Sequence, residues 1–363
     1  MSGPPELQDP TSRPREGKVD PLTLIPAQGF PLDKLLPVKQ AAAAPVLVAF
    51  PVAGPEESAN LEKLLAILWP LVGPLVDQVW VACSNPDLGD LARLPGIFPG
   101  LRLLPVSRRL PADQEKAPLG KGAAMRALLY HLVVQQGLTD PRAVIQFLDA
   151  DILPAYFHPG WVLGPVGAVL WFEEVEAAKV VYWRPQGGRL NALVRSLFGL
   201  APHPGVQQLM HLAYLLSGEM AATLKCWTRL PFRCGYGVEM QILLSFALDL
   251  LKLAPPAPDL TRLVQVYVGQ MDHRHAFLTS SRARPGLDQM AAAVIFTFWD
   301  VLRRLDVFRW QSTVPYAPYL HLPIPREEGH IPPEWLEIPL EEHLLPPLSL
   351  NDEVFRALLQ GPG

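Results

Sequence analysis

The chain is short of cysteine. It has three in 363 residues, Cys83, Cys226 and Cys234, with no C-x-x-C pair among them. That pattern excludes a disulfide framework or a zinc ribbon and fits reduced, structural thiols in a cytoplasmic protein. A basic excess is missing too. Charged residues make up 18% of the chain and the net charge is −4, so the electrostatic footprint of a nucleic-acid binder is absent. No apolar run is long enough to span a membrane. Stretches such as "LEKLLAILWPLVGPLV" (residues 61–76) are cut by proline and glycine or carry charge. The opening "MSGPPELQDPTSRPREGK" holds no apolar core of a signal peptide, and a soluble protein is expected.

What the chain does have is apolar mass and proline. Apolar residues reach 49% and mean hydropathy is +0.17, enough for a large core. Many of the 41 prolines fall in residues 1–55 and 312–347. They predict a Pro-rich N-terminal arm (1–44), a regular domain (45–310) and a Pro-rich C-terminal extension (311–363). Within the domain, "PVLVAF" (45–50), "QVWVACS" (78–84), "LRLLPV" (101–106) and "AVIQFL" (143–148) read as strands. Between them, "ANLEKLLAILW" (with Ser58 as N-cap), "DLGDLARL" and "GKGAAMRALLYHLVVQQG" read as helices, the last stopping at a glycine. The alternation predicts a mainly parallel sheet covered on both faces. Further on, residues 160–172, 186–198, the part of 214–227 after its Ser-Gly break, 234–253 and 286–305 read as largely helical. "AKVVYWRP" and "LVQVYVG" read as strands.

Ligands of such sheets bind beyond the carboxyl ends of the strands. That brings "PVAGPEE", "CSNPD" and the "DAD" of Asp149–Ala150–Asp151 towards one cleft. The two aspartates are either turn residues or hard oxygen ligands for Mg²⁺ or Mn²⁺, an ion completed by substrate phosphates. "PLGKGAAM" is no Walker loop, since Glu115 and Gly122 stand where Gly and Ser or Thr are required. It still places backbone N–H groups and Lys121 where an anion can sit. His273 and His275 follow the last core strand, Arg189 follows a Gly-Gly loop, and Glu239 lies near the start of an apolar helix. Taken singly, each also has an ordinary reading: loop histidines, a surface arginine, an exposed helix-start carboxylate.

Their order is more informative. "GKGAAM" (120–125), "FLDADI" (147–152), "GGRLNALV" (187–194), "SGEMAAT" (217–223), "GYGVEMQILL" (235–244) and "VGQMDHRH" (268–275) together resemble the glucosyl-3-phosphoglycerate synthases. These are retaining glycosyltransferases, with mannosyl-3-phosphoglycerate and mannosylglycerate synthases as looser relatives. The resemblance implies an α/β fold of GT-A type: a nucleotide-binding sandwich with a mainly parallel central sheet (45–152) and a helical C-terminal acceptor region (153–310). It implies transfer of glucose or mannose from a nucleotide diphosphate sugar to 3-phosphoglycerate or a related small acid. UDP-glucose is the expected donor, with a GDP-sugar as alternative.

Residue by residue, the resemblance makes Asp151 and His273 metal ligands for Mg²⁺ or Mn²⁺. Pro51, Val52, Ser84, Lys121, Asp149 and Ala150 become donor contacts. Gly188, Arg189, Asn191 and His275 face the acceptor. The backbone carbonyl of Leu216 lies near the anomeric carbon, and Glu239 is the cleft carboxylate. A cytoplasmic homodimer is expected. The chain departs from the family pattern in three places. "PVAGPEE" lacks an asparagine, Asn191 replaces a hydroxyl residue, and His275 replaces an asparagine.

Overall fold

The computed structural model describes residues 24–106, 119–184, 189–248, 262–272, 286–304, 319–324, 334–339 and 344–348. In chain order the elements begin with β1 (Leu24–Pro26), α1 (Leu32–Ala42), β2 (Val46–Val52), α2 (Ser58–Leu68), β3 (Gln78–Cys83), α3 (Leu94–Ile97) and β4 (Arg102–Pro105). Next come α4 (Lys121–Tyr130), β5 (Val144–Phe147), α5 (Gly160–Trp171), β6 (Ala177–Trp183), α6 (Arg189–Leu200) and α7 (Pro204–Leu209). They are followed by β7 (Met220–Thr223), α8 (Leu224–Arg229), β8 (Phe232–Arg233), α9 (Val238–Ala247), β9 (Leu263–Gln270) and α10 (Leu287–Arg304). The last are β10 (Tyr319–Ile324), β11 (Glu334–Pro339) and β12 (Leu344–Leu345).

One sheet organises the molecule, in the order β1-β9-β6-β7-β5-β2-β3-β4. Every pairing in it is parallel except those of β7, which runs antiparallel to both β5 and β6. The apolar run of β2 is buried along its whole length, as a strand covered on both faces must be. Its side chains divide by parity. Leu47 and Ala49 join one core with Trp80, Ala82 and α4, while Val46, Val48 and Phe50 join another with Val79, Val81 and α5. The largest buried side chains, Trp161 and Trp227, sit one in each core. Trp227 donates its indole N–H to the Ile145 carbonyl at 2.8 Å, so the ring is buried without an orphaned donor.

The mainly parallel α/β sandwich expected from the sequence is observed, with local differences; among them, the stretch read as an irregular C-terminal extension holds the paired strands β10 and β11, and β12, which pairs with β8. Residues 24–42, read as part of an irregular arm, form an edge strand and a helix. Gly164 and Gly167, three apart on α5, let this segment lie close, for a β-carbon there would come within 2.8 Å of Ala27 and Phe30. Ser58 is not the N-cap of α2 but its first residue; Glu57 occupies the cap and no side chain caps the helix. The helix read across residues 220–223 is strand β7, captured between two apolar neighbours although Ala and Met favour helix. Of the long helix read over 234–253, Val238–Ala247 is helical, and residues 249–253 lie outside the described residues. The stop at Gly137 is as expected: α4 ends through a π turn (His131–Gln135) and Gly137 takes φ +70°. None of the described helices is long and apolar enough to cross a membrane.

Candidate active site

The carboxyl ends of β2, β3 and β5 lie side by side. Pro51 and Val52 end β2 with buried side chains, and Ser84, just past β3, donates its backbone N–H to Val52 O at 3.0 Å. The segment after β5 is pinned from both sides. Asn60 on α2 donates its amide to Ala150 O at 2.6 Å and Ile152 O at 2.8 Å, and Leu153 N–H donates to Asp272 O at 3.0 Å. The "DAD" turn is therefore held by α2 and by the end of the strand segment that precedes His273.

Lys121 is the first residue of α4, and it joins two distant parts of the chain. Its Nζ lies 2.6 Å from Asp149 Oδ1 and 2.8 Å from Glu239 Oε1, with all three side chains about a fifth exposed. Burial works against the lysine's charge, but Asp149, Glu239 and Glu219 outweigh it and hold the ammonium well above its ordinary pKa. Burial also pushes the Glu239 carboxyl up, a rise that Lys121 opposes and Asp149 reinforces. Gly218 closes over this triad. A β-carbon there would sit 1.9 Å from Lys121 Nζ and 2.8 Å from both Asp149 Oδ2 and Glu239 Oε1. The glycines around Lys121 serve close approach as well, since a β-carbon on Gly122 would collide with the Arg233 carbonyl. Ala123 N–H donates to Cys234 O at 3.2 Å, so that donor of the first turn bonds within the protein.

The segment bearing Leu216 is held residue by residue. Ala213 N–H donates to Gln265 Oε1 at 2.7 Å, and Leu215 N–H donates to Asn191 Oδ1 at 2.8 Å. Ser217 O accepts from Lys179 Nζ at 2.8 Å. Asn191, expected at the acceptor, thus uses its side-chain carbonyl to fix the residue before Leu216. Arg184, at the end of β6, hydrogen-bonds Tyr214 and lies 3.6 Å from Asp272.

Glu57 is a carboxylate that sequence reasoning passed over. Burial, then the nearby Asp151, raises its pKa to about 7. Carboxylate crowding of this kind is what a hard divalent cation relieves, and carboxylate oxygens suit Mg²⁺ or Mn²⁺. Among the described residues no group of three or more His, Cys, Asp or Glu is arranged to hold a metal ion. Gly188, His273 and His275 lie outside the described residues. Arg189 opens α6, and only its backbone is described. Of the residues singled out from sequence, the structure brings together Lys121, Asp149 and Glu239. It sets Pro51, Val52, Ser84, Ala150 and Asp151 at the same strand ends, and it ties the segment of Leu216 to Asn191 of α6 through Leu215. Asn60, Glu57, Gln265 and Lys179 were not found. For Lys179 there was a signal: one charged residue inside the apolar run "AAKVVYW".

Fold and site together define a class, a GT-A type α/β fold with a charged cleft at its strand ends. Comparison with known proteins is more particular. No protein-family model matches the chain. It is 31% identical over 232 residues to the glucosyl-3-phosphoglycerate synthase of Mycobacterium tuberculosis, an alignment covering 60% of this chain and 64% of that protein. A 28% identity over 244 residues relates it to the Mycolicibacterium smegmatis synthase, covering 64% of this chain and 72% of the relative. The chain thus spans a little under two thirds of the M. tuberculosis relative. The crystal structure of the M. tuberculosis enzyme with Mn²⁺, UDP and glucosyl-3-phosphoglycerate matches with a TM-score of 0.65 at 25% identity, over 89% of this chain and 97% of that one. Mannosyl-3-phosphoglycerate synthase from Rubrobacter xylanophilus shares the fold, with a TM-score of 0.69 at 23% identity over 90% of this chain and 96% of that one. The resemblance carried by the sequence motifs is therefore also found in alignments that cover 60% of this chain by sequence and 89% by structure.

Proposed function

We propose that the chain is a retaining glycosyltransferase that moves glucose, or mannose, from a nucleotide diphosphate sugar to 3-phosphoglycerate or a related three-carbon acid. The observation that carries this reading is the Lys121–Asp149–Glu239 triad at the strand ends, one turn of chain from Asp151. UDP-glucose and phosphoglycerate are the ligands of the related M. tuberculosis enzyme, and they fit this arrangement. Asp151, with His273, would hold a divalent cation that offsets charge on the departing diphosphate.

In this reading Pro51, Val52, Ser84 and Ala150 line the base and ribose. Lys121 faces the diphosphate and bridges Asp149 and Glu239, offsetting their mutual repulsion. Arg189 holds the acceptor's phosphate with its planar fork of donors, beside Gly188, Asn191 and His275. The Leu216 carbonyl lies at the sugar carbon under attack. No second carboxylate is set as a nucleophile among the described residues, so transfer goes by front-face substitution. As the bond from the anomeric carbon to the diphosphate oxygen breaks, the acceptor's hydroxyl oxygen bonds to that carbon on the same face and its proton passes to the departing phosphate oxygen. The protein contributes position and fixed charge. The reading includes a cytoplasmic homodimer, whose assembly sedimentation of the purified chain checks.

The test is incubation with Mn²⁺ or Mg²⁺, several nucleotide sugars and a panel of small acids, with products identified by mass. A glycosylated acid and free nucleoside diphosphate are expected, and Asp151→Ala is expected to abolish both. Release of pyrophosphate, or tight donor binding without turnover, would overturn the proposal.

A further inference from the structure

We propose that Lys179, in the middle of β6, is a positioning residue for this reaction: it anchors the Leu216–Gly218 segment against the Lys121–Asp149–Glu239 triad. The inference rests on the proposed transfer activity and extends it to a residue that touches no substrate.

Lys179 is 2% exposed and is registered between Met220 of β7 and Gln265 of β9. Lysine is almost never buried so deeply without a task, since an apolar side chain would fill the space at lower desolvation cost. Its task is visible in the hydrogen bonds. Nζ donates to Ser217 O at 2.8 Å, the Ser217 hydroxyl donates to Val180 O at 2.6 Å, and Val180 N–H donates to Glu219 O at 3.0 Å. Two consecutive residues of β6 therefore grip Ser217 and Glu219, the residues on either side of Gly218. The peptide after Ser217 leads into Gly218, whose α-carbon has no room for a β-carbon beside Lys121 Nζ. Moving Ser217 moves the ceiling of the triad and the residue before it, Leu216.

The charged groups acting on Lys179 come from every side of the site. They are Glu239 from α9, Glu219 from the segment before β7, Asp149 from the turn after β5, and Lys121 from α4, the one cation among them. Burial dominates and brings the ammonium down to about 8. Turnover that depends on this charge falls as pH rises through that value, because the uncompensated carboxylates then press on the triad.

The test compares Lys179→Met and Lys179→Gln with wild type by steady-state kinetics across pH, using UDP-glucose, Mn²⁺ and 3-phosphoglycerate. With Lys179→Met, kcat is expected to fall about 100-fold, the scale of a misplacement near 1 Å, with KM for the donor within about threefold of wild type. Wild-type kcat is expected to decline above about pH 8, and the two variants to lack that limb. An active wild type beside an equally active Lys179→Met, or a variant that keeps the alkaline limb, overturns the assignment alone. If neither variant folds, the wild-type profile decides: a kcat that stays flat across that window overturns it. A wild type that forms no glycosylated acid with any donor instead overturns the activity on which the inference rests.

Discussion

Two charged clusters among the described residues have chemistries that run in opposite directions. Around Asp300 of α10 three cations surround one carboxylate. Its carboxylate is 3% exposed and meets Arg233 of β8, Arg303 at 2.9 Å and Arg304 at 2.7 Å. Burial alone would raise its pKa, yet the three guanidinium groups bring it to about 2. Around Lys121 the carboxylates outnumber the cations, and Glu239 is pushed up rather than down. The first cluster has spent its charge on holding α10 to β8. The second leaves negative charge in excess at the strand ends, the kind of imbalance that marks functional sites.

Breaking the Asp300 cluster gives the largest effect on stability. Asp300→Ala leaves Arg233, 1% exposed, without its buried counter-charge, and about 3–5 kcal/mol of stability is expected to go. Urea denaturation measures it, and a loss under about 1 kcal/mol would show the pair to be dispensable. Gly218→Ala tests the other cluster. Its new β-carbon displaces the far end of Lys121, a movable side chain, so turnover should fall about 100-fold while unfolding free energy changes by only about 1 kcal/mol. An unaltered kcat in that variant would refute the crowding at Gly218.

Acid separates the clusters next. Asp300 has a folded pKa below its ordinary 3.8, so it contributes stability that is present above 3.8 and lost as pH falls through about 2. That loss amounts to about 2 kcal/mol. Glu239 has the opposite sign, since protonation relieves the cost of its burial. Thermal melts of wild type and Asp300→Asn between pH 5 and pH 2 should converge towards the acid end; parallel curves would contradict the assignment. The smallest effect belongs to Arg303→Ala. That arginine is half exposed, and its removal should cost about 0.5 kcal/mol or less, within a melting shift of about 2 °C.

Much of the sandwich could be read before it was seen. β2, β3, β4 and β5 announce themselves as short apolar runs between turn signals, and a D-x-D after such a run belongs at the cleft of a parallel sheet. The edge strand β1 could not be read, because Leu24–Pro26 is three residues long beside prolines and its stability comes from β9 and from the glycine face of α5. Nor could β7. "MAAT" has no periodicity, and its neighbours on both sides, not its own preference, make it a strand. Within the site, Lys121, Asp149 and Glu239 were each conspicuous but not as a unit. Asn60 and Gln265 looked like ordinary polar residues until their hydrogen bonds to the site segments were visible, and Lys179 stood out only as a charge inside an apolar run.

The sequence by itself determined the alternation of strands and helices, the apolar faces that make two cores, and the chemistry waiting at the strand ends. These follow from period and composition, which are local. Only the tertiary structure decided that Lys121 and Glu239, 118 positions apart, lie 2.8 Å from one another. It also decided that a lysine buried in β6 holds the segment above them. Contacts of that kind depend on placement to within about an ångström, and the sheet sets that placement after the chain has folded.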